Sequence, residues 1–301
     1  MRGGNRPVHA EIELPGLRGV LYSSVADGVH GGDIHYLSVC GSGLLARLCV
    51  ADVAGHGDAV AAVGTEMYGQ LRRSVDIVDE RRVLRAIDRR IVRADVQAMT
   101  TAVLATYYPP SRRLAISYAG HPPAWFYSAA SRTWSPIEPE PAPASAKAPV
   151  GLPLGTGLTP RYTRRRIKVT EGDRLLLLTD GVLEACSPAD EELGHAGLER
   201  LLHAYQGDAD GLVDHVLQGL EAHTGSSALA HDDVTIFVGE IVAGPPGPAL
   251  WHVFRNRFGP SRTVGNVRPV APPVAMPPEP CLLAGESRAA ADRLPAPTDS
   301  L

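Results

Sequence analysis

Two β-rich apolar runs, at 36–40 and 44–51, flank the turn signal Gly41-Ser42-Gly43. That pattern predicts a hairpin, with Asp52 at the end of its second strand. Residues 59–75 are small and apolar, lack proline, and predict a helix. A second helix over 83–96 has a firmer warrant, because Leu84, Ile87, Ile91 and Ala94 recur at helical spacing with Arg and Asp on the other face. Strands follow at 101–108, 114–119 and 124–127, joined by turns at Pro109-Pro110-Ser111 and Gly120-His121-Pro122-Pro123. The Pro/Ala/Ser-rich stretch 136–149 predicts an exposed loop. The continuous apolar run 174–179 has strand length and suits burial on both faces. Helices at 198–205 and 212–223 and a closing strand at 234–241 complete the pattern. Mostly antiparallel strands with two separated helical pairs predict an α+β fold, a sandwich with two sheets inside and helices outside.

Composition divides the chain near Ala243. After it come Gly244-Pro245-Pro246-Gly247-Pro248 and a run of further prolines, with few apolar residues to offset the entropy of ordering. The division predicts a folded domain over 1–243 and a disordered tail over 244–301. Within the tail, the apolar island at 250–258 reads equally as a short docking element or as a cluster packing on its own domain. Hydrophobic residues at 44% and charged residues at 21% describe an ordinary globular protein. The net charge of −4 gives no electrostatic reason to expect a nucleic-acid or anionic-membrane partner. Cys40, Cys49, Cys186 and Cys281 are scattered without a CxxC pair, which reads as free thiols in a reducing cytoplasm. Residues 1–15 lack an apolar signal core, and no run is long enough to span a bilayer. The expected location is therefore the cytoplasm.

The chemistry sits in four short segments far apart in the chain: Gly31-Gly32-Asp33, Asp52-Val53-Ala54-Gly55-His56-Gly57, Thr179-Asp180-Gly181 and His231-Asp232-Asp233-Val234-Thr235. Taken singly each is weak. Asp180-Gly181 could be an ordinary turn, Gly31-Gly32-Asp33 a simple loop, and Asp232-Asp233 the solvated start of a strand. Adjacent carboxylates are nevertheless unfavourable unless a cation or a cluster of N–H groups compensates them. Carboxylates with few His and no Cys partners are what hard cations such as Mg²⁺ and Mn²⁺ require. Glycine beside the acids lets backbone, water and substrate approach without a Cβ in the way. Jointly, the segments read as a metal-dependent phosphohydrolase.

With the motifs placed this way, the chain resembles the PPM family of metal-dependent serine/threonine phosphatases, in the bacterial branch typified by SpoIIE and RsbU. The resemblance also rests on Ala119-Gly120-His121-Pro122-Pro123, Gly151-Leu152-Pro153-Leu154-Gly155 and the run from Gly172-Asp173 to Asp180-Gly181, all in the family's order. It implies a four-layer α-β-β-α sandwich with two Mn²⁺ or Mg²⁺ ions at one end of the sheets. By motif match Asp52 bridges the ions, the Val53 carbonyl binds one of them, and Asp33, Asp180 and Asp232 supply further carboxylates. Water activated by such a pair attacks phosphorus, so no protein nucleophile is needed.

The histidines and one departure qualify the match. His56 does not occupy the position of the histidine in eukaryotic members, where Ala54 stands, and His121 in its turn reads as structural. The family's first motif usually continues to a second acid, and here that position is Tyr36, which puts the metal stoichiometry in question. The implied substrate is a phosphoserine or phosphothreonine protein, for example a STAS-type antagonist of an anti-sigma factor. Two alternatives stay open: a PPM-fold regulatory scaffold without turnover, and a small-molecule phosphatase. Family members often carry an N-terminal sensor domain, whereas here the resemblance begins within about 20 residues of Met1. It spans about residues 20–241.

Overall fold

The computed structural model of the chain describes residues 2–26, 30–55, 58–94, 98–141, 148–226 and 232–243. The tail expected over 244–301, together with His56, Gly57 and His231, lies outside the described residues. Three strands come first: β1 (Arg2–Gly4), β2 (Val8–Leu14) and β3 (Leu17–Ser24). The predicted hairpin follows as β4 (Ile34–Val39) and β5 (Ala46–Val53), and the first helical pair as α1 (Asp58–Arg73) and α2 (Glu80–Arg93). Next are β6 (Thr100–Tyr108), β7 (Arg113–Ala119), β8 (Ala124–Ser128), β9 (Thr133–Ile137), β10 (Arg165–Lys168) and β11 (Arg174–Leu178). The chain closes with α3 (Gly194–Ala204), α4 (Leu212–Thr224) and β12 (Val234–Ile241).

The strands form two antiparallel six-stranded sheets, ordered β1-β4-β5-β6-β7-β10 and β2-β3-β12-β11-β8-β9. One core lies between them, where Leu48, Val50 and Val103 of the first sheet share a cluster with Leu21, Leu175, Leu177 and Phe237 of the second. A second core joins Leu176, Leu178, Ile236 and Val238 to Leu198, Leu202, Val216 and Leu220 of α3 and α4. A third joins Ile34, Tyr36, Cys49 and Leu104 to Val63, Met67, Leu84 and Ile87 of α1 and α2. Alternate leucines of β11 thus serve different cores, which is why that strand is apolar throughout. The layers run α-β-β-α, as the resemblance implied.

Local chemistry sets the helix ends. The side chain of Asp79 accepts the Arg81 N–H at 3.1 Å and caps α2, three residues ahead of the start its apolar stripe predicts. Between the helices the chain is tied down from below. Arg47 of β5 is fully buried and donates to the carbonyls of Ser74, at 2.5 Å, and Ile77.

One expectation needs correction. The stretch 136–149 does not begin as a loop, because Pro136 and Ile137 close β9. That strand lies at the edge of its sheet, where the N–H that proline lacks is not required by a neighbour.

Candidate metal centre

Register brings the acidic segments to one end of the sandwich. Ile34 pairs with Ala51 across β4 and β5, so Asp33, one residue before β4, comes opposite Asp52. In the other sheet Leu178 pairs with Ile236 across β11 and β12. Asp180 therefore leaves its strand where Asp232 and Asp233 enter theirs. A short 3-10 turn, Asp180–Val182, follows β11, and the Asp180 carbonyl accepts the N–H groups of Leu183 and Glu184 at 2.7 and 2.8 Å.

The loops interlock through hydrogen bonds. The Asp233 carboxylate accepts the Gly32 N–H, the Ala26 N–H at 2.8 Å and the Asp33 N–H at 3.4 Å. A side chain on Gly31 would run into that carboxylate, and one on Gly181 would run into the Asp233 carbonyl. The Thr179 hydroxyl donates to Asp33 Oδ2 at 2.8 Å and accepts the Thr235 N–H at 2.9 Å, which ties the two sheets together at the site. Gly32 lines a small space bounded by oxygen. A Cβ placed there would lie 3.0 Å from the Val53 carbonyl oxygen, 3.4 Å from Asp52 Oδ1 and 3.6 Å from Asp233 Oδ2.

Burial and mutual repulsion raise the carboxylate pKa values. Asp33 is 2% exposed, and burial holds its carboxyl well above the usual range; bonds from Thr235 and Thr179 oppose this, while the charges of Asp52 and Asp233 add to it. Burial pushes Asp52 up to about 7, with the charges of Asp180, Asp232, Asp233 and Glu184 behind it. Asp180 is likewise raised, first by burial and then by Asp232, against hydrogen bonds from its own turn. Among the described residues no group of three or more His, Cys, Asp or Glu side chains is gathered tightly enough to hold an ion as it stands. The acids repel one another electrostatically. Their chemistry fits a hard divalent cation: the donors are all oxygen, and a cation would relieve the repulsion.

Each residue expected from the sequence can now be located. Asp33, Asp52, Val53, Asp180 and Asp232 share this end of the sandwich, Asp33 buried, Asp52 and Asp180 half-buried, and Asp232 exposed at the rim. Tyr36 does not face the site. Asp33 and Tyr36 are three apart in an extended chain and so lie on opposite faces of the sheet. Tyr36 packs in the helix-side core, its ring centroid 6.4 Å from that of Tyr68 in α1.

His121 is buried, and its Nε2–H donates to the Leu178 carbonyl at 3.1 Å, which leaves Nδ1 to accept from the Thr101 hydroxyl at 2.8 Å. Burial pushes this imidazole down to about 3, so it is a neutral bolt between the sheets and not a proton donor. Three contributors carried no assigned role in the sequence: the clamp Asp233, the bridging Thr179, and Glu184, one helical turn beyond Asp180. Asp233 and Thr179 adjoin expected ligands, and that adjacency was the available signal.

Solved structures of phosphatase domains share the two-sheet sandwich. The RsbU and RsbW domains of Rv1364c from Mycobacterium tuberculosis align at 26% identity and a TM-score of 0.59, covering 80% of this chain and 64% of that one. This chain thus spans under two thirds of that protein's length. The PP2C phosphatase domain of the cell fate determinant SpoIIE from Bacillus subtilis, with a fragment of its regulatory domain, aligns at 16% identity and a TM-score of 0.59, covering 77% and 64%. The catalytic domain of the serine threonine protein phosphatase PstP, in complex with two manganese ions, aligns at 17% and 0.54, covering 75% and 98%. A search of curated proteins finds no match.

The family model described as Stage II sporulation protein E (SpoIIE) matches residues 44–241, and the chain belongs to that family, within the SpoIIE/RsbU branch of the PPM phosphatases. The matched stretch begins after Gly31-Gly32-Asp33, so Asp33 enters the site on the strength of its position and its bond to Thr179.

Proposed function

We propose that residues 1–243 form a metal-dependent phosphoprotein phosphatase domain that hydrolyses phosphoserine or phosphothreonine in bacterial signalling. The observation that carries this reading is the convergence of oxygen from Asp52, Val53 and Asp233 around Gly32, beside the buried Asp33. Asp52, the Val53 carbonyl, Asp33, Asp180 and Asp232 would hold two Mn²⁺ or Mg²⁺ ions. Such ions, when bound, supply the positive charge that activates water and stabilises a phosphoryl group in transfer.

The chain's own residues fix the geometry. Thr179 holds one oxygen of Asp33, so that carboxylate cannot swing away. Asp233 gathers the Gly32 and Asp33 N–H groups and ties that loop to the start of β12, while the Gly32 carbonyl accepts the Val53 N–H of β5 at 3.2 Å. Burial and the neighbouring acids raise the Asp52 carboxyl to about 7, and a bound cation would favour its carboxylate form. The structure of PstP with two manganese ions supports a two-ion site in this fold, and the likeness to the RsbU and RsbW domains of Rv1364c, with the SpoIIE/RsbU resemblance, supports a place in bacterial signalling. By that analogy a STAS-domain antagonist of an anti-sigma factor is the proposed substrate. Free thiols at Cys40, Cys49 and Cys186 support a reducing compartment.

The Asp52→Asn variant tests the assignment. Its turnover of a phosphoserine peptide with Mn²⁺ is expected to fall more than about 100-fold, roughly 3 kcal/mol of barrier. Rates near the wild type would refute the role given to Asp52.

A further inference from the structure

The outer face of α2 is a ridge of arginine. Arg82, Arg85, Arg89 and Arg93 recur at i, i+3, i+7 and i+11 and are all exposed. At the helical rise they span about 16 Å. The acids of this helix are turned inward: Glu80 is buried 3.5 Å from Arg164 Nη1, and Asp88 is buried and accepts the Gly155 N–H at 3.0 Å. Arg81 and Arg90 are paired, with Asp79 at 2.8 Å and Glu66 at 2.6 Å. Among the described residues no carboxylate forms an ion pair with the four ridge arginines. Arg85 and Arg89 instead donate Nε–H to the carbonyls one turn back, at 3.2 and 3.1 Å.

Like charges four residues apart destabilise a helix, so the ridge is unfavourable in the free protein. It also opposes the sign of the chain, whose net charge is −4. The other helical pair lacks such a ridge: α3 and α4 carry Glu199, Asp214 and Glu221 against Arg200.

Through its inner face, the C-terminal end of α2 lies near the acidic site. A Cβ on Gly155 would lie 3.0 Å from Ile91 Cγ2, in the last turn of α2. Leu154, next to Gly155, exchanges two backbone hydrogen bonds with Thr100, and Thr100 pairs with Val53.

We propose that this ridge docks an acidic face of the phosphoprotein substrate and guides its phosphorylated residue to the site. This rests on the phosphatase reading above. Asp232 and Glu184 are exposed at the site's rim, whereas the ridge offers a run of exposed positive charge that raises the local concentration of an acidic partner. The ridge is a single line of four charges about 16 Å long on a chain of net charge −4, which a duplex or an anionic bilayer, with negative charge over a wide area, matches less well than a compact acidic patch. A compact acidic protein patch meets the ridge and presents only its phosphate to the rim.

The test compares the wild type, the charge reversal Arg82→Glu/Arg85→Glu/Arg89→Glu, and the charge-keeping Arg82→Lys/Arg85→Lys/Arg89→Lys. Two phosphoserine peptides serve as probes, one with a run of glutamates and one neutral, with p-nitrophenyl phosphate as control. Fluorescence anisotropy reads peptide binding independently of turnover. The wild type is expected to favour the acidic peptide in kcat/KM and binding, and the reversal to lower both at least about tenfold. The lysine variant should keep the preference, and all three should turn over p-nitrophenyl phosphate alike. An unaltered preference in the reversal variant would overturn the proposal. So would ridge-dependent binding of duplex DNA or phosphatidylglycerol vesicles tighter than that of the acidic peptide. Absence of metal-dependent p-nitrophenyl phosphate turnover in the wild type would sink the phosphatase reading instead, and the anisotropy arm would still decide the ridge.

Discussion

At the scale of single residues, the site is held by contacts that leave no space. Gly181 sits so close to the Asp233 carbonyl that any side chain would displace β12 or the 3-10 turn carrying Asp180. Gly181→Ala is therefore expected to cost about 1–3 kcal/mol, read as a lowered thermal midpoint. An unchanged midpoint would mean that the loops are not packed as described. The positions of the acids were legible, because Asp33, Asp180 and Asp232 lie beside strand ends and adjoin glycine or a second acid, and Asp52 lies at the end of β5 ahead of Gly55. The division of labour between Asp232 and Asp233 was not legible. Two neighbouring acids look alike in a string, and only the fold turns Asp233 onto the N–H groups of a loop about 200 residues away while leaving Asp232 exposed. Tyr36 is similar. Motif spacing makes it a missing ligand, whereas the alternation of the strand makes it a core residue beneath α1.

At the scale of elements, apolar pattern located the hairpin, the helical pairs and the closing strand, and missed the edge strands β1, β2, β9 and β10 together with the interior strand β3. The closing strand coincides with its expected range, and both helical pairs fall where their apolar residues place them. β10 was missed because its residues, Arg165 to Lys168, are mostly exposed at a sheet edge and need no apolar alternation. β2 carried a signal, with Ala10, Ile12 and Leu14 buried in alternation with the exposed Glu11 and Glu13. The link between α1 and α2 depends on Arg47, whose guanidinium satisfies the carbonyls of Ser74 and Ile77 within the core. Removing a charged donor from two buried acceptors costs more than an ordinary hydrogen bond. Arg47→Met is expected to lose about 3 kcal/mol in urea unfolding. Wild-type stability would show that the helical pair is held by its apolar face alone.

At the scale of the whole molecule, two sheets with separate helical covers meet at one end, and every expected ligand lies there. Nothing in a local window announces that convergence. It follows from the registers of β4 with β5 and β11 with β12, and from the Thr179–Asp33 bond that ties one sheet to the other. The order of the motifs along the chain gave the resemblance; strand pairing explains why residues 33, 52, 180 and 232 share one end of the sandwich. Charge has its own layout at this scale, with acids at the site and a basic ridge on α2. The described helices include none long and apolar enough to cross a membrane.

The most direct test of the account is hydrolysis of p-nitrophenyl phosphate by the purified full chain with Mn²⁺, Mg²⁺ or EDTA, beside Asp180→Asn. Turnover that requires the metal and is abolished by both EDTA and the substitution is the result expected of a binuclear phosphatase. A folded chain that turns over nothing with either metal, or that works equally well in EDTA, would contradict it.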